Sequence, residues 1–212
     1  MHLSDLERKR HPFQGLKKGN AANEQKGNSN DLHEYSVGSS VSRAKYLRKK
    51  QILGLVGERV RFQPWLIPLY PELIRLHNNI TVAAGVRLIT HDASFAVLNC
   101  ALKPKRFPER VGCIEVMDNV FIGAGTIVMP NVRIGENVII GAGSVVTKDL
   151  ASNGVYVGCP AKRIGSFEAF CQKMDELETG DYSYPTVRKN THITQAEIHN
   201  AWAFFEAGHR ES

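Results

Sequence analysis

Ile89-Thr90-His91-Asp92 is the stretch where residue types and spacing first point to chemistry. Imidazole titrates near neutrality, so a neutral histidine can take a proton from an attacking group and return it to a departing one. A carboxylate next in sequence, Asp92, could orient that ring, bind an acceptor or fold a loop. Adjacent side chains often diverge, so all three roles stay open. A lone histidine is ordinarily structural; His91 is singled out by the pattern it interrupts. It sits in a hexad whose fifth residue should be apolar or small, and that residue is Asp92. The chain must leave its regular path there. Residues 94–115, SFAVLNCALKPKRFPERVGCIE, read as an insertion before the pattern resumes at Val116. A histidine at the root of a protruding loop lies at the edge of a cleft.

The pattern is a repeat of six. Residues 116–151 divide into VMDNVF, IGAGTI, VMPNVR, IGENVI, IGAGSV and VTKDLA, each beginning with Val or Ile. The fifth positions are Val120, Thr126, Val132, Val138, Ser144 and Leu150, all apolar or small. Upstream copies begin at Leu76, Val82 and Leu88, and fainter ones at Val56 and Phe62, with a two-residue slip around Pro68 and Pro71. A period of six fits neither a helix nor simple strand alternation. Each hexad must be a short strand plus a turn, with two inward positions and a Gly or Asn at a tight corner. Three hexads close a triangular coil of about 18 residues, and coils stack edge to edge as a solenoid.

On these residues the chain resembles the hexapeptide-repeat acyltransferases, in particular the maltose and galactoside O-acetyltransferases and, next, the virginiamycin and xenobiotic acetyltransferases. The most specific part is VFIGAGTIVMPNVRIGENVIIGAGSVVTKDLASNGVYVGCPAKRIG. The family's usual closing motif, G-N-P-A-K, stands here as Gly158-Cys159-Pro160-Ala161-Lys162, a departure at one position. The resemblance implies a mainly β fold, a left-handed parallel β-helix, an exception to the right-handed crossover rule; a helical N-terminal segment and C-terminal helices are expected around it from their apolar spacing. The resemblance implies acetyl transfer from acetyl-CoA to a hydroxyl of a sugar or similar small acceptor, with His91 as general base; Asp92, from its place beside His91, is the second catalytic candidate. An oxyanion on the thioester carbonyl would need an N–H donor, which the sequence does not single out. The resemblance also implies a homotrimer whose active sites lie between subunits.

Coenzyme A needs a narrow groove for pantetheine and cations for its phosphates. The Gly-Ala-Gly triplets at 123–125 and 141–143 put Ala124 and Ala142 one coil apart in a column of small side chains. By resemblance, Ala142 and Ala124 contact pantetheine, and Thr147 and Lys148 match the family's Thr-Lys pair near the cofactor. Lys162 matches a basic residue near its phosphates, with Arg163 adjoining. Solvated surface charge is the alternative for Lys148 and Arg163.

The remaining elements frame this segment. Three parts are expected: residues 1–53, a polar basic arm and short helix; 54–165, the repeat domain with its insertion; and 166–212, a helical extension. Residues 41–51 read as a helix with Ala44, Leu47 and Ile52 inward. A helix should begin at Ser166, with Phe167, Phe170, Met174 and Leu177 at helical spacing. After a loop with Gly180 and Pro185, another should begin at Thr194, capped with Glu197 and carrying Ile198, Trp202 and Phe205. The 212 residues include 42% hydrophobic and 23% charged, an ordinary globular balance. Residues 1–50 hold 11 Lys/Arg and 5 Asp/Glu, whereas the rest holds 16 of each, so the net +6 resides in the arm. A solvated tail and helix face is the expected reading, and a basic arm contacting nucleic acid or an acidic surface the alternative; no nucleic-acid recognition motif is present. The sequence lacks an apolar run long enough to span a bilayer or serve as a secretory signal, so a cytoplasmic protein without membrane insertion is expected. Cys100, Cys113, Cys159 and Cys171 are too dispersed for a C-x-x-C site and read as reduced thiols. None of the eight histidines lies between 92 and 191, which argues against a zinc carbonic anhydrase on such a scaffold and for no metal. An antibiotic acetyltransferase would differ only in its acceptor pocket, and a non-catalytic scaffold would have no use for His91.

Overall fold

The computed structural model of the chain describes residues 38–179 and 193–209. The basic arm at 1–35 and the loop bearing Gly180 and Pro185 lie outside them. Short strands dominate. They begin β1 Leu55–Val56, β2 Arg61–Phe62, β3 Ile74–Leu76, β4 Ile80–Val82 and β5 Arg87–Leu88. A small strand β6 His91–Asp92, helix Ser94–Ala101 and β7 Arg110–Val111 follow. The repeat resumes as β8 Ile114–Val116, β9 Val120–Ile122, β10 Ile127–Val128, β11 Val132–Ile134, β12 Val138–Ile140 and β13 Val145–Val146. Last come β14 Gly154–Val157 and β15 Lys162–Ser166.

Successive strands visit three parallel sheets in rotation. The first sheet runs β1-β3-β8-β11, the second β2-β4-β9-β12-β14 and the third β5-β10-β13. Partners stand 18 residues apart through the later repeats, as in Ile122 opposite Ile140 and Val128 opposite Val146. The spacing is 20 between Phe62 and Val82, the expected two-residue slip, and 40 between Leu76 and Val116, where the insertion intervenes. The insertion ends slightly earlier than 115: Ile114 is already paired in the first sheet and fully buried.

Burial follows the six-residue rule. Val116, Ile122, Val128, Ile134, Ile140 and Val146 are all completely buried, and so are the fifth-position Thr126, Val138 and Ser144. The two hydroxyls satisfy themselves on one carbonyl: Thr126 and Ser144 both donate to the Gly141 carbonyl, at 3.2 and 2.7 Å. The rule fails at the slip, where Leu66 occupies a fifth position but stands 72% exposed. One column of corners is asparagine. Asn79, Asn119, Asn137 and Asn153 hold φ between 54° and 61°. Asparagine tolerates this left-handed conformation, and the side-chain amides of Asn79, Asn119 and Asn137 each donate to the side-chain oxygen of the next asparagine in the column, at 2.8–2.9 Å.

Both ends of the stack are covered. Helix α1, Ser40–Lys49, packs Ala44 and Leu47 against the first coil, as the sequence suggests, and Ile52 beyond it is partly buried. Its buried Arg43 donates to the carbonyls of Phe62 (3.1 Å) and Gly38 (2.6 Å) and lies over the Trp65 ring. At the other end β15 turns back antiparallel to β14, a strand the hexad pattern does not foresee, and closes the second sheet. Helix α2 of the insertion is Ser94–Ala101, α3 is Phe167–Thr179 and α4 is Gln195–Gly208. The Ser166 hydroxyl accepts from the Ala169 N–H at the start of α3, and Thr194 and Glu197 form a reciprocal capping box on α4. Trp202 and Phe205 of α4 are more than half exposed. Among the described residues no helix is long and apolar enough to cross a membrane, and no group of three His, Cys, Asp or Glu could hold a metal.

Candidate active site

The third sheet ends where the insertion begins. Beyond β5 the chain should turn into the next coil; instead Thr90 is buried and donates its hydroxyl to the Leu69 carbonyl. β6 then leaves the coil and pairs with the returning β7, His91 opposite Val111 and Asp92 opposite Arg110. The Gly112 N–H donates to the Thr90 carbonyl at 2.8 Å, closing the root of the loop. A side chain at Gly112 would meet the Asn131 amide at 2.5 Å, so the returning chain passes there only as glycine.

His91 is half-buried between two cavities. One, of about 520 Å³, is lined by His91, Asp92, Arg110, Met129, Asn131 and Thr147 among others. The second, of about 160 Å³, is walled chiefly by Phe62, Leu66, Leu69, Val86, Leu88 and Ile89, and His91 lines it too. Tyr70 meets the imidazole edge-on, with ring centroids 6.0 Å apart. The Tyr70 hydroxyl donates to Glu109 at 3.1 Å, and that hydrogen bond to a carboxylate raises the phenol above its usual range. The His91 Nδ1 is buried and has no hydrogen-bond partner among the described residues.

Of the three roles open to Asp92, the structure favours loop folding. One carboxylate oxygen accepts from the Ser94 N–H at 2.8 Å, the other from Arg110 at 2.7 Å. The Ser94 backbone bond, the Ser94 hydroxyl and Arg110 together hold Asp92 below the ordinary carboxylate range. It does not orient the imidazole, whose Nδ1 is unpartnered.

Thr147 joins His91 and Asp92 in the larger cavity; the other candidates stand elsewhere. Ala124 and Ala142 are exposed at the corner where the third sheet begins, the opposite end of its strands from His91. They lie in one column, for the Gly143 N–H donates to the Ala124 carbonyl and the Gly125 N–H to that of Ala84. Lys148 is exposed beside Thr147. Lys162 and Arg163 are exposed on β15, where Arg163 donates to the carbonyls of Asn153 (2.9 Å) and Gly165 (3.2 Å). Tyr70, Arg110 and Asn131 were not foreseen. Tyr70 lies inside the slip that the flanking prolines announce, and Asn131 occupies a hexad corner, but Arg110 sits in an insertion with no period to place it.

Residues 114–148 match the family described as bacterial transferase hexapeptide (six repeats). Protein CapG of Staphylococcus aureus is 43% identical over 115 residues, a match covering 53% of this chain and 63% of that protein. The galactoside O-acetyltransferase of Lactococcus lactis is 55% identical over 47 residues, 22% of this chain and 23% of that enzyme. Over these segments the repeats of the chain are similar to those of hexapeptide-repeat acetyltransferases. The chain spans less than two thirds of the length of the curated relatives it matches. Among solved structures, a maltose O-acetyltransferase of Clostridium difficile is similar at 26% identity and TM-score 0.48, covering 65% of this chain and 82% of that one. The hexapeptide match ends at Lys148, so Lys162 and Arg163 lie beyond it.

Proposed function

We propose that the protein transfers an acetyl group from acetyl-CoA to a hydroxyl of a sugar or similar small acceptor, with His91 as general base. The observation that carries the reading is the position of one imidazole between two cavities, where the 18-residue repeat is interrupted. The acceptor hydroxyl gives its proton to the His91 imidazole while its oxygen attacks the thioester carbonyl carbon. The tetrahedral intermediate expels the thiolate of coenzyme A, and the imidazolium returns the proton to that sulfur. With both substrates held together, no covalent enzyme intermediate is needed.

Coenzyme A is supported as co-substrate by the fit of the coil edge. The exposed Ala124–Ala142 column leaves room for pantetheine, and Thr147 reaches the cavity that holds His91. Lys148 and Lys162 would pair with phosphates; Arg163 plays a lesser part, since its guanidinium is engaged with backbone carbonyls. The rotation through three sheets supports a β-helix over 54–165, and the hexapeptide match supports its being left-handed; a basic arm and helix at 1–53 and a helical extension at 166–212 flank it. Within one chain Ala124 and Ala142 stand at the far end of the third sheet from His91, which supports a homotrimer in which one subunit supplies the base and its neighbour the pantetheine column. The test is acetyl transfer from labelled acetyl-CoA to a panel of maltose, galactosides, nucleotide sugars, streptogramins and chloramphenicol. Transfer to a sugar is expected; transfer only to the antibiotics would replace the acceptor class, and no transfer to any would contradict the reading.

A further inference from the structure

We propose that the smaller, apolar cavity beside His91 is an acyl pocket, and that besides acetyl-CoA the protein takes thioesters with straight chains of about four to six carbons, binding them more tightly. The proposal rests on the acyl-transfer reading and deepens it.

The two cavities divide by chemistry. Asp92, Arg110, Asn131 and Thr147 give the larger one hydrogen-bonding groups, whereas Phe62, Leu66, Leu69, Val86, Leu88 and Ile89 make the smaller one chiefly hydrocarbon, with Arg87 also on its lining. A thioester is a chain with its reacting carbonyl in the middle: sulfur and pantetheine extend one way, acyl carbons the other. With pantetheine in the cavity that Thr147 lines and the carbonyl at His91, the acyl carbons point toward the second cavity. The acceptor hydroxyl attacks across the carbonyl plane, so it does not compete for that space.

Size and construction agree. A cavity of about 160 Å³ is close to the roughly 150 Å³ of an apolar cavity that holds benzene, six carbons. An acetyl methyl would leave most of it without contacts, and unfilled apolar space forfeits dispersion. The pocket is also a product of the slip. Phe62 and Val82 are paired 20 residues apart instead of 18, and the surplus chain places Leu66 and Leu69 at the mouth, 72% and 54% exposed. An acyl chain is the occupant that reaches these side chains from the reacting carbonyl.

The experiment is calorimetric titration of the full chain with coenzyme A and its acetyl, butyryl and hexanoyl thioesters, without acceptor. Each buried methylene should tighten binding about threefold to fourfold, so butyryl-CoA is expected to bind about tenfold more tightly than acetyl-CoA. Equal affinities, or affinity falling with chain length, would overturn the proposal while leaving acyl transfer intact. Leu66→Asp, at a position exposed enough for the fold to carry it, should bring the butyryl-to-acetyl ratio close to one. A ratio retained in that variant would place the chain elsewhere and overturn the pocket assignment. Failure of coenzyme A itself to bind would remove the acyl-transfer reading and the pocket with it.

Discussion

The third sheet has two ends, built by the same stack of coils. Where its strands begin, each coil offers nearly the same thing: Ala84, Ala124 and Ala142, each followed by a glycine with φ near 70°. Where its strands end, no two coils agree. One presents His91 and Asp92, the next Met129, Pro130 and Asn131, the next Thr147. The first corner is a backbone surface of constant shape, suited to a ligand that runs along the axis. The second gathers different side chains around one space, and only there do a half-buried histidine, a tethered carboxylate and two cavities meet. Repetition makes the platform, and its interruption makes the chemistry.

That contrast can be tested through its shared core first. Ile140→Ala removes a fully buried side chain of the core and should destabilise by about 2–5 kcal/mol in denaturant titration. Leu66→Ala, at an exposed position of the slip, should change stability by less than about 0.5 kcal/mol. Equal losses would mean that the slip is as structural as the coil. At the cofactor end, Lys162→Ala should raise the KM for acetyl-CoA about tenfold, the worth of one charge-assisted contact; an unchanged KM removes Lys162 from the site. At the asparagine corners, Asn119→Ala should cost about 1–2 kcal/mol through its left-handed φ of 60°. Asn119→Gly should cost less, because glycine tolerates that conformation. The smallest effect concerns the loop. Asp92 is held below the ordinary carboxylate range, so its ties to Ser94 and Arg110 are present above that range and lost as pH falls through the depressed value. Amide exchange in residues 94–101, corrected for its intrinsic pH dependence, should quicken below about pH 4, and Asp92→Asn should show the faster exchange at neutral pH.

The coil was legible because its rule is periodic. Val or Ile every six residues, with small or apolar partners four further on, fixes which side chains point inward, and Thr126 and Ser144 obey it despite their hydroxyls. The histidine was legible because Asp92 breaks that rule. What surrounds His91 was not. Tyr70 and Leu66 owe their places to a slip whose length a sequence reveals but whose path it does not, and Arg110 reaches Asp92 through an antiparallel pair inside the insertion. The antiparallel β15 escaped notice for the same reason: Lys162–Ser166 carries no alternation that separates it from a coil. The role of Asp92 turned on which way a side chain points, and sequence adjacency to His91 says nothing about that.

The most direct test of the base is turnover of His91→Ala with acetyl-CoA and the best acceptor, read beside its thermal unfolding and its affinity for coenzyme A. The account predicts kcat lower by about 10²- to 10⁴-fold with unfolding and cofactor affinity as in the parent. Turnover within a few-fold of the parent would contradict it.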